Sequence, residues 1–229
     1  MTNTETTTDI ISAADLTGAP FGPDDPRHTF AAAVSLARNL IATVHADELD
    51  RATPCDDFAV RALVHHVVEV VDRVAALGRG DDPFAPGAPV DDANYLDRLA
   101  GAAHEVQRVW SNDAVLAKEV SLPWATFSGG DALNSYTAEL TSHTWDLAKA
   151  LGRNVRFDDR VLTVALDAYR SLLPPTGRAA IFDEVIRTMP PDARGTHPFK
   201  EAVPVSADAP LIDQVIAYVG RDPNWQTVR

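Results

Sequence analysis

Apolar positions recur at steps of three and four through several stretches of this chain, the period of a helix with one buried face. From about Pro26 to Ala46 the row runs through Phe30, Val34, Ala37, Ile41 and Val44. A second run spans Phe58 to Leu77 and meets a terminator at Gly78. It is preceded by the turn Thr53-Pro54-Cys55-Asp56-Asp57, whose acidic residues are capping candidates. Helical spacing resumes from Asp91 to about Trp110 through Tyr95, Leu99, Ala102, Val106 and Val109, and again from Asp131 to Leu151, closed by Gly152. Asp81 to Pro89 carries three prolines and a glycine and reads as a loop. Lys118 to Phe127 alternates apolar and polar residues around Pro123, which predicts a short edge strand or an extended loop.

Beyond Gly152, helices are predicted over Asp158 to Leu173, stopped by Pro174-Pro175, and over Gly177 to Arg187. A Pro-rich connection, Met189 to Pro204, leads to a last helix from about Pro210 to Val219, with Asp208 as its cap and Gly220 at its end. Met1 to Asp25 is rich in Thr, Asp, Ala, Gly and Pro and lacks the basic and apolar regions of a secretory signal, so it reads as a loose tail. The expected organisation is a flexible tail (1–25), an all-α core with four long helices (26–152), and a C-terminal helical extension packed on it (153–229).

Composition narrows the function classes. Apolar residues are 45% of the chain but nowhere approach the roughly 20 consecutive positions a membrane span requires. One cysteine, Cys55, leaves no internal disulfide and no multi-cysteine zinc site, and suits a cytoplasmic, reducing location. With 33 acidic against 20 basic residues the formal charge is -13, a field that repels phosphate backbones and anionic lipid surfaces. Neither nucleic acid nor membrane is an expected partner; a small molecule is. No apolar stripe is left over once the core is assigned, so monomer and homodimer both stay open.

Two adjacent histidines in the second run are separated by about 100° around the helix axis. His66 lies on the apolar row Ala59, Leu63, His66, Val70, Val74 and points inward; His65 shares the polar face with Arg61, Glu69 and Asp72. The fourth run repeats the pattern, because Leu133, Tyr136, Leu140, His143 and Leu147 form an apolar row interrupted by His143, and Glu139 stands one turn earlier. A carboxylate and an imidazole at i, i+4 project from one face about 5–6 Å apart at Cβ, close enough to grip one ion. A third ligand from a facing helix would complete a two-histidine, one-carboxylate set with open positions. The bland alternative is a core histidine beside an ordinary helix-surface pair, and spacing alone leaves both readings standing.

The stretches Thr53-Pro54-Cys55-Asp56, Val60-Arg61-Ala62-Leu63-Val64-His65-His66-Val67 and Glu139-Leu140-Thr141-Ser142-His143-Thr144-Trp145-Asp146-Leu147-Ala148, then Gly152, resemble the DinB-like superfamily. More narrowly they resemble its actinobacterial branch related to the N-terminal domain of mycothiol-dependent maleylpyruvate isomerase. Pro204-Val205, Asp208-Ala209-Pro210-Leu211, Gly220-Arg221-Asp222-Pro223 and Trp225 look like the same branch. The resemblance implies a four-helix bundle in which His66, Glu139 and His143 bind one divalent metal, zinc or nickel, with mycothiol as a thiol partner. It departs at Phe58, where relatives commonly have Trp, and at Ala62, where they have an acidic residue; these changes are expected to alter packing or a surface contact without touching the ligands. The residues after 152 do not resemble the isomerase's second domain, so the resemblance carries the scaffold further than it carries maleylpyruvate as substrate.

Other residues have competing roles. Asp146 is a fourth ligand, an acceptor for an imidazole N–H, or a surface partner of Lys149 or Arg153. Trp145 is expected to pack. Cys55 precedes a helix N-terminus, where a thiol can become acidic, but belongs to a turn motif without a histidine near it in sequence. His28, His45, His104 and His197 are expected in water, and Trp124 and Phe127 wall either a pocket above the metal or the core. The leading expectation is a metal-dependent thiol S-transferase or isomerase acting on a small electrophile. Its rivals are a metal-activated hydrolase and a non-catalytic metal-binding or stress-related protein.

Overall fold

A computed structural model describes residues 10–14, 19–122, 125–188, 197 and 199–227. Eight helices occur among them: α1 (Pro26–Ile41), α2 (Val60–Arg79), α3 (Tyr95–Val109), the short α4 (Ala114–Ala117), α5 (Gly129–Leu151), α6 (Asp159–Leu172), α7 (Arg178–Thr188) and α8 (Leu211–Tyr218). The fold is mostly helical. Helices α1, α2, α3 and α5 surround one apolar core that includes Phe30, Leu40, Leu63, Val67, Leu99, Trp110, Leu133 and Leu140. A second apolar cluster joins α5, through Ala138 and Trp145, to Leu162, Leu166 and Tyr169 of α6 and to Val215 and Ile216 of α8.

Helix α5 is the shared wall. Its bundle-facing row was predicted from the period, but its opposite face is buried too, including Thr137, Thr141, Ser142 and Thr144. Three of these threonines settle their hydroxyls inside the helix by donating to the carbonyl four residues back, Leu133, Thr137 and Leu140. A helix covered all round can carry small polar residues only on such terms. Trp145 packs against the second cluster, with the Lys149 ammonium 5.3 Å from its ring.

Several boundaries differ from the sequence reading. Helix α1 stops at Ile41, where the Thr43 hydroxyl donates to the Leu40 carbonyl, and a 3-10 turn follows at Ala46–Glu48. Helix α2 is not capped by Asp56 or Asp57; its N-cap is Ala59, and its first amides, Val60 and Arg61, donate to the carbonyls of Arg51 and Leu49. Gly78 lies inside α2 rather than at its end, and the helix stops at Gly80. The reason is packing: a Cβ at Gly78 would meet Val109 Cγ2 at 2.4 Å and Trp110 Nε1 at 2.6 Å. Helix α3 starts at Tyr95, four residues later than predicted, and α8 is capped by Pro210 rather than Asp208.

The extended segment before α5 is a hairpin of β2 (Glu119–Leu122) and β3 (Ala125–Ser128), paired antiparallel. Ser128 then caps α5 by accepting from the Asp131 amide. Within the segment read as a tail, β1 (Ile10–Ser12) pairs parallel with β4 (Asn154–Arg156). Three-residue strands carry no period to read.

Candidate metal centre

The site lies where α2 meets α5. The turn before α2 is held by Thr53, whose buried hydroxyl accepts from the Cys55 amide at 3.1 Å and donates to the Phe58 carbonyl at 2.7 Å. That turn fixes two side chains against the site, Cys55 and Phe58. Nearly two helical turns into α2, His66 faces α5; Glu139 and His143 face back from it.

The His66 Nε2 is 3.0 Å from Glu139 Oε1, and the His66 and His143 rings stand perpendicular with centroids 4.9 Å apart. One donor atom from each of His66, Glu139 and His143 lies within 4.8 Å of the others. Metal–ligand bonds of about 2.0–2.2 Å put donor atoms on a common ion roughly 3–4 Å apart, so small side-chain movements bring the three together. Two imidazoles and one carboxylate are a donor set that suits a borderline divalent ion such as zinc or nickel. The residues fit the group that the resemblance implies.

Burial disfavours charge on Glu139, but the hydrogen bond and positive charge of His66, with His143 and Arg73 behind, more than offset it and hold the carboxyl below its ordinary range. Burial pushes the His143 imidazole down, against the opposing pull of Asp146. The lowered His143 value favours the neutral imidazole that ligates a metal, and the positive charge that keeps Glu139 ionised is one that a bound divalent ion would supply in place of the imidazoles. The Tyr136 hydroxyl is buried one turn before Glu139 and has no hydrogen-bond partner among the described residues.

Asp146 is fully buried, so the surface-partner reading fails. Its carboxylate oxygens accept from Arg221 Nε at 2.8 and 3.0 Å, and Oδ2 is 3.2 Å from His143 Nδ1. Arg153 instead pairs with the buried Glu48. Phe58 touches a candidate ligand, contrary to expectation: its ring stacks on His66 with centroids 4.9 Å apart and an interplanar angle of 21°. Ala62 is exposed.

Two neighbours were missed in the sequence. Cys55 lies within 4.8 Å of donor atoms of His143 and Asp146, across 88 and 91 residues of chain. Burial pushes its thiol up, and the nearby Arg221 only partly counters that, so the helix N-terminus does not make it an acidic nucleophile. Arg221 carried two signals, its place directly after the predicted terminator Gly220 and its membership of the Gly220-Arg221-Asp222-Pro223 stretch, but neither tied it to the site. His65 is half-buried, 3.2 Å from Asp92, and His28 and His197 are half-buried as well, whereas His45 and His104 are exposed. Trp124 lies outside the described residues; Phe127 packs against the main core.

The family model described as the mycothiol maleylpyruvate isomerase N-terminal domain matches residues 18–148, which contain His66, Glu139 and His143. The chain belongs to that family. Two uncharacterized proteins of Mycobacterium tuberculosis, Rv0738 of strain H37Rv and MT0763 of strain CDC 1551 / Oshkosh, are each 29% identical over 186 residues. The alignment covers 80% of this chain and 90% of each relative. No solved structure matches significantly. No described helix is long and apolar enough to cross a membrane. That domain links the chain to the mycothiol-related isomerase family.

Proposed function

We propose that this protein is a metal-dependent thiol S-transferase or isomerase, with His66, Glu139 and His143 holding one divalent ion and a mycothiol-type thiol as co-substrate for a small electrophile. The observation that carries the reading is the convergence of those three donor atoms within 4.8 Å of one another, in a chain of this family. A divalent ion bound there supplies Lewis acidity, which favours the thiolate form of a thiol at the site. The protein's own residues divide the remaining work. Glu139 contributes the one negative charge among the ligands, His66 is braced by the Phe58 ring, and Phe58 shields that side from water. Asp146 is engaged by Arg221 and supports His143 from behind, which keeps the protein ligands at three and leaves room for a co-substrate.

The test is metal analysis of full-length protein purified without a histidine tag or chelator, beside His66→Ala, Glu139→Ala and His143→Ala. About one equivalent of zinc or nickel, lost in each variant together with thiol conjugation of small electrophiles, is the expected result. Absence of metal, with no thermal stabilisation when zinc or nickel is added back, overturns it. Turnover without any thiol would replace the transferase reading with a metal-activated hydrolase.

A further inference from the structure

Residues 149–229 lie beyond the region that matches the family model, yet one of them reaches the candidate centre. Helix α8 ends in a turn in which the Gly220 amide donates to the Ala217 carbonyl at 3.0 Å and the Arg221 amide to that of Ile216 at 3.1 Å. Gly220 has φ of +84°, and a Cβ there would meet Lys200 Cβ at 2.6 Å. Only glycine therefore permits the turn that carries Arg221 back into the protein. Arg221 is 9% exposed, Asp146 is 0% exposed, and the two are joined by both Nε contacts.

We propose that Arg221 is a positioning residue for the metal centre: it fixes the Asp146 carboxylate, which in turn holds His143 with its proton on Nδ1 and its Nε2 lone pair turned to the ion. The proposal rests on the reading of His143 as a ligand and deepens it by making the C-terminal segment part of the site. The chain of contacts is short. An ionised carboxylate only accepts, so the 3.2 Å contact with His143 Nδ1 requires the hydrogen to sit on that nitrogen. A neutral imidazole carries one N–H, which leaves Nε2 as the available ligand atom. Because the carboxylate accepts the Arg221 Nε through both oxygens, it is held against rotation, and the ring behind it inherits that orientation.

Two measurements test this on the full-length protein. In metal-free wild type, the nitrogen chemical shifts of His143 should show one tautomer with the proton on Nδ1; a proton resident on Nε2 overturns the proposal, whatever the metal does. For zinc binding, Arg221→Gln should weaken affinity about 10- to 100-fold, the usual scale for removing a partner behind a metal ligand, at unchanged helix content. Arg221→Lys, which keeps a charged donor for Asp146, should recover most of the loss. Wild-type affinity in Arg221→Gln overturns the proposal, and so does a loss in which Arg221→Lys is no better. If wild type itself binds no zinc, the metal reading fails, and a His143 tautomer that is unchanged in Arg221→Gln overturns the orienting role of Arg221 separately.

Discussion

The Phe58 ring and the His66 imidazole lie face to face, 4.9 Å between centroids. An aromatic pair in this geometry contributes about 0.5–1.5 kcal/mol, so Phe58→Ala should weaken zinc binding roughly two- to thirteenfold by loosening His66. Phe58→Trp, which offers a larger face, should bind at least as tightly as wild type. Titration calorimetry of the three proteins decides it, and equal affinity in Phe58→Ala would mean that the stack contributes nothing to ligand placement.

Gly78 is where α3 presses onto α2. Alanine favours a helix over glycine by about 1 kcal/mol, which would ordinarily stabilise an interior position. Here the added carbon would meet Val109 and Trp110 at 2.4 and 2.6 Å and disturb the Trp110 indole, whose N–H donates to the Val74 carbonyl. Overpacking costs about 1–3 kcal/mol, so Gly78→Ala should lower Tm despite the better propensity. Thermal unfolding followed by tryptophan fluorescence checks the sign.

Asp25 caps α1 and grips Arg27 through two contacts of 2.9 and 2.6 Å. Its bonds to that guanidinium hold the carboxyl below the ordinary 3.8. A depressed folded value means that this carboxylate's contribution is fully present above 3.8 and lost as pH falls through the lowered value. Asp25→Ala should therefore cost about 1 kcal/mol at neutral pH, and the gap to wild type should narrow as the solution is acidified. Urea unfolding at a series of pH values measures it; a gap that widens in acid would refute the assignment.

Glu48 is buried, with Arg153 and Arg51 on its carboxylate, and its Oε2 accepts from the His45 amide at 3.0 Å. Glu48→Ala removes charge-assisted bonds and strands part of the Arg153 side chain, a loss of about 2 kcal/mol. Zinc affinity should be unchanged, because this cluster lies outside the candidate centre. Urea unfolding together with zinc titration separates the two effects.

The inward-facing positions of His66 and His143 were legible because each lies on an apolar helical row, His66 between Leu63 and Val70 and His143 between Leu140 and Leu147. Periodicity reports which way a side chain points within its own helix, and that suffices for a donor aimed at the core. It reports nothing about what arrives from elsewhere. Asp146 stayed open between a ligand, an imidazole acceptor and a surface acid because its buried partner is 75 residues away, and Cys55 had no histidine near it until α5 packed against its turn. Gly78 looked like a terminator because the chemistry of a helix end and of a close helix crossing select the same residue. The second burial face of α5 was hidden for a related reason: Thr137, Thr141, Ser142 and Thr144 read as polar, yet the helix backbone or the Tyr169 hydroxyl satisfies them.

That second face constrains how this protein can vary. Over residues 140–148 a helix walled in by two cores has no free side on which a sequence can drift, so each of those positions must be exchanged for a residue of like volume or left alone. Variation around the candidate centre then falls to segments that arrive from outside α5, above all the turn from Thr53 to Phe58, while the helix carrying Glu139 and His143 stays as it is.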